Sequence, residues 1–330
     1  MIFVTGGSGF LGSYMLKELV LQGKPVRALR RKRGLPFYID AGINEKISWV
    51  EGDILDVVGL LENMSGCDQI IHAAGMVSFV PGDKKQLYKI NIEGTANMVN
   101  AAIESGITDF VHVSSVGALG RSENGLPVTE DQKWAGIDGQ SDYSISKYYG
   151  EMEVWRGMGE GLRAMIVNPA TLLGYGDWNE SSCGIFKLAY QELPWYTPGS
   201  NGFSDVEDAA RATIALMDSP IRNERFLIST ENRNYREILS LMAKDFGKKE
   251  ASKEAGVFLS GLAWRMEKIK SQLTGNKPLL TRQTVKMANS HSAYSSGKLL
   301  KALPLFQFRN LEDSIRDACF QYAENAKTGR

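Results

Sequence analysis

Thr5-Gly6-Gly7-Ser8-Gly9-Phe10-Leu11-Gly12 indicates the architecture of this chain more clearly than any other segment. It follows a strand-like apolar run, Ile2–Thr5, and opens an amphipathic stretch, Phe10–Leu21. The glycines allow a tight turn and let the backbone come close to a pyrophosphate, which the N–H groups and partial positive charge of a helix start would attract. A glycine-rich turn without a ligand is the alternative. The strand before it and the helix after it favour a dinucleotide site.

Short apolar runs alternate with helix-like stretches through the first half of the chain. Stretches such as Phe10–Leu21 and Lys84–Ser105 separate the strand-like runs. Strands at this spacing, joined by helical crossovers, predict a parallel sheet with helices on both faces. We therefore expect an α/β fold with a Rossmann doubly wound parallel sheet of about seven strands. The predicted strands are Ile2–Thr5, Pro25–Arg30, Ile47–Glu51, Gln69–Ala73, Phe110–Ser114, Ala164–Val167 and Phe226–Ile228.

The alternation weakens from about Leu172, which indicates a second unit. Residues 174–202 are rich in Gly, Pro, Trp and Tyr, whereas Asn234–Phe246 and Ala255–Leu273 are predicted helices. We assign residues 1–171 to a dinucleotide-binding domain and residues 172–330 mainly to a smaller substrate-binding lobe. Residues 203–230 should return to the first domain. The lobe should cover the carboxyl edge of the sheet, where ligands of open α/β sheets bind.

The composition is that of a soluble globular protein, with 43% hydrophobic and 23% charged residues. Lys plus Arg and Asp plus Glu both number 38, so the overall charge indicates neither a nucleic-acid nor a membrane partner. The cysteines Cys67, Cys183 and Cys319 form no close pair, which argues against a disulfide framework or a metal site. Because we find neither a signal-peptide pattern nor an apolar stretch long enough to span a membrane, we expect a cytoplasmic protein.

A series of further motifs follows the glycine-rich turn, in the order found in the extended short-chain dehydrogenase/reductases. The chain resembles that family along nearly its whole length. The motifs are Glu51-Gly52-Asp53, His72-Ala73-Ala74-Gly75, Asn91-Ile92-Glu93-Gly94-Thr95, Tyr143-Ser144-Ile145-Ser146-Lys147, Asn168-Pro169, Asp205-Val206-Glu207-Asp208 and Tyr294–Leu303. The resemblance places the cofactor against Gly6, Gly9, Phe10, Leu11, Gly12, Asp53, Ile54, Ala73, Ala74, Gly75, Tyr143, Lys147, Asn168 and Pro169.

Tyr143 and Lys147 lie four residues apart, so they share one face of a helix. A free tyrosine has a pKa of about 10, and a nearby ammonium favours the phenolate and lowers that pKa. Tyr143 would then exchange a proton with a substrate oxygen while hydride moves to or from a nicotinamide. An ordinary amphipathic helix can carry the same pair, and the glycine-rich turn is what favours catalysis. In the family, the lysine also binds the nicotinamide ribose.

The resemblance implies a third catalytic group, a hydroxyl at the end of the fifth strand, where Ser114 and Ser115 are adjacent. Gly120 comes five residues after Ser115, which matches the family spacing, so we choose Ser115. Its hydroxyl would hydrogen-bond the substrate oxygen and help it carry charge in the transition state. By the same resemblance, Asn91 would take part in a proton relay, either by binding a water molecule or by maintaining a helix kink. The alternative is a purely structural role.

Arginine stands at the end of the second strand, where NAD-specific sites usually place an acidic residue. The sequence reads Val26-Arg27-Ala28-Leu29-Arg30, followed by Arg31-Lys32-Arg33. Arginine suits a planar, bidentate grip on phosphate, so the run favours a 2′-phosphate pocket and NADP(H), with NAD(H) as the alternative. A solvated basic loop is the other interpretation. Arg30 and Arg31 are the candidate phosphate ligands, and the sequence does not choose between them.

Within the family, the sequence looks most like the dihydroflavonol-4-reductase-like branch, whose members reduce ketones or aldehydes with NADPH. Ser115 is followed by Val116-Gly117-Ala118, without the Asp-Glu pair of dehydratases, and Gly199–Asp205 lacks the basic residue of many sugar-nucleotide enzymes. We expect an oxidoreductase acting on a small-molecule carbonyl or alcohol. A sugar-nucleotide epimerase and a non-catalytic cofactor sensor are the alternatives. A hydrolase using His72 or His112 is disfavoured, because no G-x-S-x-G elbow is present.

Five aromatic residues in the second half suit either a substrate wall or the core of the small lobe. By resemblance alone, we also expect a homodimer. It would pack the helices Lys84–Ser105 and Tyr143–Gly157 of both subunits into a four-helix bundle. The aromatic residues are Trp178, Phe186, Trp195, Tyr196 and Phe203.

Overall fold

The computed structural model describes residues 1–32, 35–120, 125–134, 136–274, 278 and 280–328. Arg33, the last residue of the basic run, lies outside the described residues. The strands, in chain order, are β1 (Ile2–Thr5), β2 (Val26–Arg30), β3 (Ser48–Glu51), β4 (Gln69–His72), β5 (Asp109–Val113), β6 (Arg163–Pro169), β7 (Thr171–Leu173), β8 (Trp195–Tyr196), β9 (Ser200–Asp205), β10 (Glu224–Ile228), β11 (Glu231–Asn234) and β12 (Lys253–Glu254).

Seven of these strands form one sheet in the order β10-β6-β5-β4-β1-β2-β3, and all of its pairs are parallel. This confirms the predicted doubly wound sheet. The chain proceeds outward from β1 through β2 to β3, and then from β4 in the opposite direction. The direction therefore reverses between β1 and β4, where open α/β sheets form their ligand crevice.

The α-helices cover the sheet and build the lobe. The stretch expected to form one helix over Lys84–Ser105 is instead two helices joined by a π-helical segment, Lys89–Glu93. The helices are α1 (Phe10–Leu21), α2 (Ala41–Asn44), α3 (Val57–Met64), α4 (Lys84–Tyr88), α5 (Gly94–Glu104), α6 (Asp142–Gly159), α7 (Gly184–Tyr190), α8 (Val206–Asp218), α9 (Tyr235–Phe246), α10 (Val257–Thr274), α11 (Arg282–Ala288), α12 (Gly297–Ala302) and α13 (Leu311–Thr328).

Apolar side chains on both faces of the sheet form two cores, because successive residues of a strand point to opposite sides. On β1, Ile2 and Val4 pack in a cluster with residues of α1 and α8. Phe3 packs on the other face with residues of α3, α5 and α6. Burial on both faces explains why these strands read as continuous apolar runs rather than alternating ones.

The second half forms a lobe with its own core, to which α7, α9 and α13 contribute. Phe186 and Phe203 are fully buried there, so the core interpretation holds for these two aromatic residues. Residues 203–230 include α8, which packs in the first core, and β10, which pairs with β6. The domain boundary at residue 171 stays a prediction. Within the described part of the chain, no helix has both the length and the apolar character needed to cross a bilayer.

Candidate active site

The turn between β1 and α1, hereafter the glycine turn (Thr5–Gly12), requires glycine at two positions. Gly6 has a φ of +73°, and a Cβ there would lie 2.5 Å from the carbonyl carbon of Ala73. A Cβ on Gly12 would lie 2.1 Å from the carbonyl oxygen of Gly6. Gly9, the N-cap of α1, supplies no side-chain cap, so no side chain occupies the start of the helix there. The Gly9 N–H itself donates to the Gly6 carbonyl (3.0 Å), so the N–H groups at the start of α1 are the ones suited to an anionic ligand.

The segment after β4 lies against this turn and reaches the catalytic helix. The backbone N–H of Ala73 donates to the Thr5 carbonyl (3.1 Å), and that of Ala74 donates to the Thr5 hydroxyl (3.3 Å). A Cβ on Gly75 would lie 3.3 Å from Asn91 Oδ1 and 3.7 Å from Lys147 Nζ. Small residues at 73–75 therefore leave room between the glycine turn and α6.

Asp53 and Ile54 follow β3 at the same sheet edge. The Asp53 carboxylate accepts a hydrogen bond from the Leu55 N–H (3.0 Å), which fixes its own turn. Ile54 is buried under Gly94, where a Cβ would come within 2.6 Å of its side chain. Gly94 is thus needed for close packing of α5 on this turn.

The two candidate phosphate ligands occupy different environments. Arg30, the last residue of β2, places its guanidinium 5.5 Å from the centre of the Trp49 ring. Its Nε is buried and has no hydrogen-bond partner among the described residues. Arg31 is exposed. An unpaired buried N–H is costly unless a ligand satisfies it, so Arg30, rather than Arg31, is the one suited to pair with an anionic group.

Tyr143 lies in the first turn of α6, next to Ser115. Ser141 caps this helix by accepting a hydrogen bond from the Ser144 N–H (2.9 Å). Burial raises the pKa of Tyr143, while a hydrogen bond with Ser115 lowers it. The lowering comes from Ser115, and burial outweighs it. The expected effect of Lys147 on this pKa stays a prediction. Tyr143 is a protonated phenol at neutral pH.

Ser115 follows β5 and is oriented by the backbone. Its Oγ accepts a hydrogen bond from the Gly117 N–H (3.1 Å), which leaves the hydroxyl proton available for donation. Ser114 is buried, and its hydroxyl has no partner among the described residues. The structure therefore brings Ser115, and not Ser114, to Tyr143.

Lys147 is one turn further along α6 and is only 6% exposed. Its Nζ donates a hydrogen bond to the Val113 carbonyl at the end of β5 (2.8 Å). Burial lowers the pKa of Lys147 to about 8, and the Glu151 carboxylate counteracts this effect. The ammonium is thus still the main form near neutral pH.

Asn91 lies in the π-helical segment and joins two parts of the site. Its Oδ1 accepts from the Met76 N–H (2.7 Å), and its Nδ2 donates to the Met76 carbonyl (2.9 Å) and to Ser146 Oγ (2.9 Å). These contacts tie the segment after β4 to α6. They explain the helix break, since π-helical turns often occur where a side chain is directed at a functional site. A part in proton transfer stays a prediction.

A buried ion pair behind the site was not anticipated from the sequence. Glu151 is fully buried, and its carboxylate accepts hydrogen bonds from Arg225 (3.0 Å) and from Asn168 Nδ2 (2.9 Å). Asn168 Nδ2 also donates to the Ser115 carbonyl (3.0 Å). Glu151 follows Lys147 by four residues, so helical spacing placed it on the catalytic face. No local pattern indicated Arg225, which comes from β10.

The two strand histidines are buried and neutral. His72 is held between Thr5 (2.8 Å) and Thr95 (3.1 Å), and burial lowers its pKa to about 3. Both ring nitrogens of His112 lack a partner among the described residues. Neither histidine has a hydrogen bond to Ser114 or Ser115 in the described structure, which disfavours a hydrolase.

Glu151→Gln should move the alkaline limb of the pH profile of kcat/KM to lower pH, by on the order of one unit. The Glu151 charge raises the pKa of Lys147, so its removal lets the ammonium lose its proton at a lower pH. The control is Glu153→Gln, which removes a partly exposed carboxylate from the same helix. An unchanged alkaline limb in Glu151→Gln would contradict this role.

Comparisons with known proteins agree with this geometry. Residues 2–229 match the NAD dependent epimerase/dehydratase family. The "Putative dihydroflavonol 4-reductase" of Synechocystis sp. is 30% identical over 323 residues, covering 96% of this chain and 92% of the relative. Cinnamoyl-CoA reductase 1 of Petunia hybrida is 28% identical over 261 residues, covering 74% of this chain and 77% of the relative. The crystal structure of gox2253 has a TM-score of 0.82 at 27% identity, covering 100% of this chain and 99% of that one.

Together, the parallel sheet, the glycine turn and the group formed by Ser115, Tyr143 and Lys147 agree with the matched family. That match spans more than half of the chain. The "Putative dihydroflavonol 4-reductase" of Synechocystis sp. extends the similarity across nearly all of it. The chain therefore belongs to the NAD dependent epimerase/dehydratase family, and it is an NAD(P)-dependent enzyme of the short-chain dehydrogenase/reductase type.

Proposed function

We propose that this protein is an NADP(H)-dependent oxidoreductase that reduces a small ketone or aldehyde, or oxidises the corresponding alcohol. The observation that carries the proposal is the meeting of Ser115, Tyr143 and Lys147 at the end of β5. The segment Ala73–Gly75 runs from the glycine turn to this group. The names of the dihydroflavonol 4-reductase and cinnamoyl-CoA reductase relatives support a reductase over an epimerase.

The chain's own residues suit proton transfer to a carbonyl oxygen. When bound, the dinucleotide supplies hydride to the carbonyl carbon. Ser115 would donate a hydrogen bond to the carbonyl oxygen and hold it in place. Tyr143, a phenol at neutral pH, would give its proton to that oxygen as the alcohol forms. The Lys147 ammonium, held by the Val113 carbonyl, would stabilise the phenolate left on Tyr143.

The test is a panel of carbonyl compounds incubated with the protein and NADPH or NADH, read by the absorbance of the reduced nicotinamide. We expect net oxidation of NADPH with at least one ketone or aldehyde. Conversion of a sugar nucleotide without net change in the cofactor would instead establish the epimerase. Dinucleotide binding with no turnover of either class would favour the cofactor sensor.

Arg30→Ala should narrow the preference for NADPH over NADH by about tenfold to a hundredfold in Kd, since a charge-assisted bond to phosphate contributes about 1.5–3 kcal/mol. NADH affinity should change little, because it lacks the 2′-phosphate. The matched control is Arg31→Ala, which removes an exposed arginine from the next position. The comparison is made by titrating protein fluorescence with each dinucleotide. If NADH bound more tightly than NADPH to the unaltered protein, the phosphate pocket would be disproved.

The homodimer and the cytoplasmic location stay predictions. In the structure, the helical face expected to form the bundle comprises α4, the π-helical segment, α5 and α6. Analytical ultracentrifugation of the full chain would measure the oligomeric state directly.

A further inference from the structure

Helix α10 presents an apolar stripe to solvent. Leu259, Leu262, Met266 and Ile269 follow the spacing of one helix face, and each is between 37% and 63% exposed. We call these four residues the α10 stripe. A contiguous apolar surface on a soluble protein usually marks a site of interaction with a protein or a membrane.

The opposite face of α10 carries Ser260, Gly261 and the partly buried Trp264, and it packs on the protein. Ser260 and Gly261 are buried, and Ser260 Oγ donates to the Gly256 carbonyl (2.8 Å). Asn289, which ends α11, donates its Nδ2 to Ser260 Oγ (3.2 Å). These contacts fix the rotation of α10 so that its apolar side chains face away from the lobe. This is the reverse of an ordinary surface helix, whose apolar face is buried.

The charge around the stripe is strongly positive, although the whole chain is neutral. Helices α10 and α11 contain five basic residues and one acidic residue, Glu267. Arg265 and Lys270 flank the stripe on its two sides and are exposed. The basic residues are Arg265, Lys268, Lys270, Arg282 and Lys286. An apolar stripe bordered by lysine and arginine is the pattern of helices that lie in a membrane interface.

The helix pair also contacts the loop that leads into the catalytic helix. Lys286 of α11 donates its Nζ to the Gly139 carbonyl (3.0 Å), four residues before Tyr143. On the other side, the Gly199 N–H donates to the Ala288 carbonyl (3.2 Å). The stripe is thus carried by a unit joined to the loops of the small lobe and to the entry of α6.

We propose that α10 docks this enzyme on the surface of an anionic lipid bilayer, with the α10 stripe inserted among the lipids and the flanking lysines and arginines at the headgroups. Charge complementarity selects this occupant. A second copy of the chain meeting the same face in a two-fold dimer would bring two basic helix pairs together, which is unfavourable. The neutral charge of the whole chain gave no indication of a membrane partner because it averages over this local excess.

Co-sedimentation of the full chain with lipid vesicles tests the proposal. We expect binding to vesicles of equal parts phosphatidylcholine and phosphatidylglycerol, weak binding to phosphatidylcholine alone, and loss of binding at high salt. Leu262→Glu/Met266→Glu and Arg265→Glu/Lys270→Glu should each weaken binding by about tenfold or more. The control is Leu305→Glu, which alters a side chain that is 98% exposed and distant in sequence from the helix pair.

A fluorescent label on α10 would report insertion of the α10 stripe into the bilayer while leaving the stripe apolar. The native cysteines are buried, so a bimane label attached to Met266→Cys should report that position. Its emission should shift to the blue with anionic vesicles, whereas a label on Leu305→Cys should not respond. Tyr143→Phe should bind vesicles as the unaltered chain does, which separates docking from the proposed catalysis.

Three results would overturn the proposal. The first is failure of the unaltered chain to bind anionic vesicles. The second is vesicle binding that Leu262→Glu/Met266→Glu leaves intact. The third is a concentration-dependent dimer, seen without lipid, that the same double variant dissociates, because the stripe would then be covered by a second copy of the chain.

Discussion

Tyr143→Phe is expected to lower kcat for carbonyl reduction by about a thousandfold, within the range that general acid catalysis contributes. The substitution removes only the hydroxyl, so the ring keeps its packing against Phe79, whose centre lies 5.5 Å away. The Ser115 hydroxyl loses its hydrogen bond with Tyr143 and keeps only the one from the Gly117 N–H among the described residues. The proton for the carbonyl oxygen must then come from water. Water is not held in position by the site, and its pKa is far above that of a phenol.

The measurement is steady-state turnover of a substrate found in the carbonyl panel, together with titration of dinucleotide affinity. Affinity should change little, because the glycine turn is untouched. Tyr149→Phe is the matched control, since it removes the same atom from an exposed position on the same helix. If Tyr143→Phe retained kcat within a few-fold of the unaltered enzyme, the catalytic assignment would be wrong.

Gly12→Ala should weaken dinucleotide binding by about a hundredfold, which corresponds to about 3 kcal/mol. The added Cβ would lie 2.1 Å from the Gly6 carbonyl oxygen, and this neighbour is backbone rather than a flexible side chain. The start of α1 must therefore move away from the turn. That movement displaces the amides on which a pyrophosphate would rest.

The control for Gly12→Ala is a glycine at which an added Cβ meets no other atom. Gly159, at the end of α6, has no atom within 4 Å of an added Cβ. Gly159→Ala should leave both affinity and melting temperature near those of the unaltered protein. Circular dichroism of Gly12→Ala would show whether the chain still folds. A folded Gly12→Ala that binds NADPH normally would refute the role given to the glycine turn.

The seven strands of the main sheet are predictable from sequence because a parallel sheet is buried on both faces, so each strand is a short apolar run. The helix break at Lys89–Glu93 is not predictable in this way. It depends on hydrogen bonds from Asn91 to Met76 and Ser146, which are distant in sequence. Local propensity carries no information about such partners.

Helical spacing brings Tyr143 and Lys147 to one face but does not fix the contacts of either side chain. Lys147 Nζ donates to the Val113 carbonyl, and Tyr143 has Ser115 as its hydrogen-bond partner. Glu151 was within reach of the same spacing argument. Its partner Arg225 could not be found by that argument, because Arg225 belongs to β10, and the pairing of β10 with β6 brings it near Glu151.

For α10, the sequence predicts a helix but not its orientation. Binary patterning assumes that the apolar face is buried. Here Ser260 and Gly261 are buried, and the apolar residues of the α10 stripe are exposed. Only the packing against α11 reveals this inversion.

The pairing of Glu151 with Arg225 has a consequence for how the molecule folds. Arg225 lies 74 residues beyond Glu151 and belongs to β10, an edge strand that pairs with β6. A chain emerging from the ribosome has β1 to β6 and α6 available long before β10, and during that time the Glu151 carboxylate lacks the Arg225 guanidinium. Long-range parallel pairings of this kind form slowly. In refolding experiments, catalytic activity should therefore return after most of the helical signal, at the rate at which β10 joins the sheet.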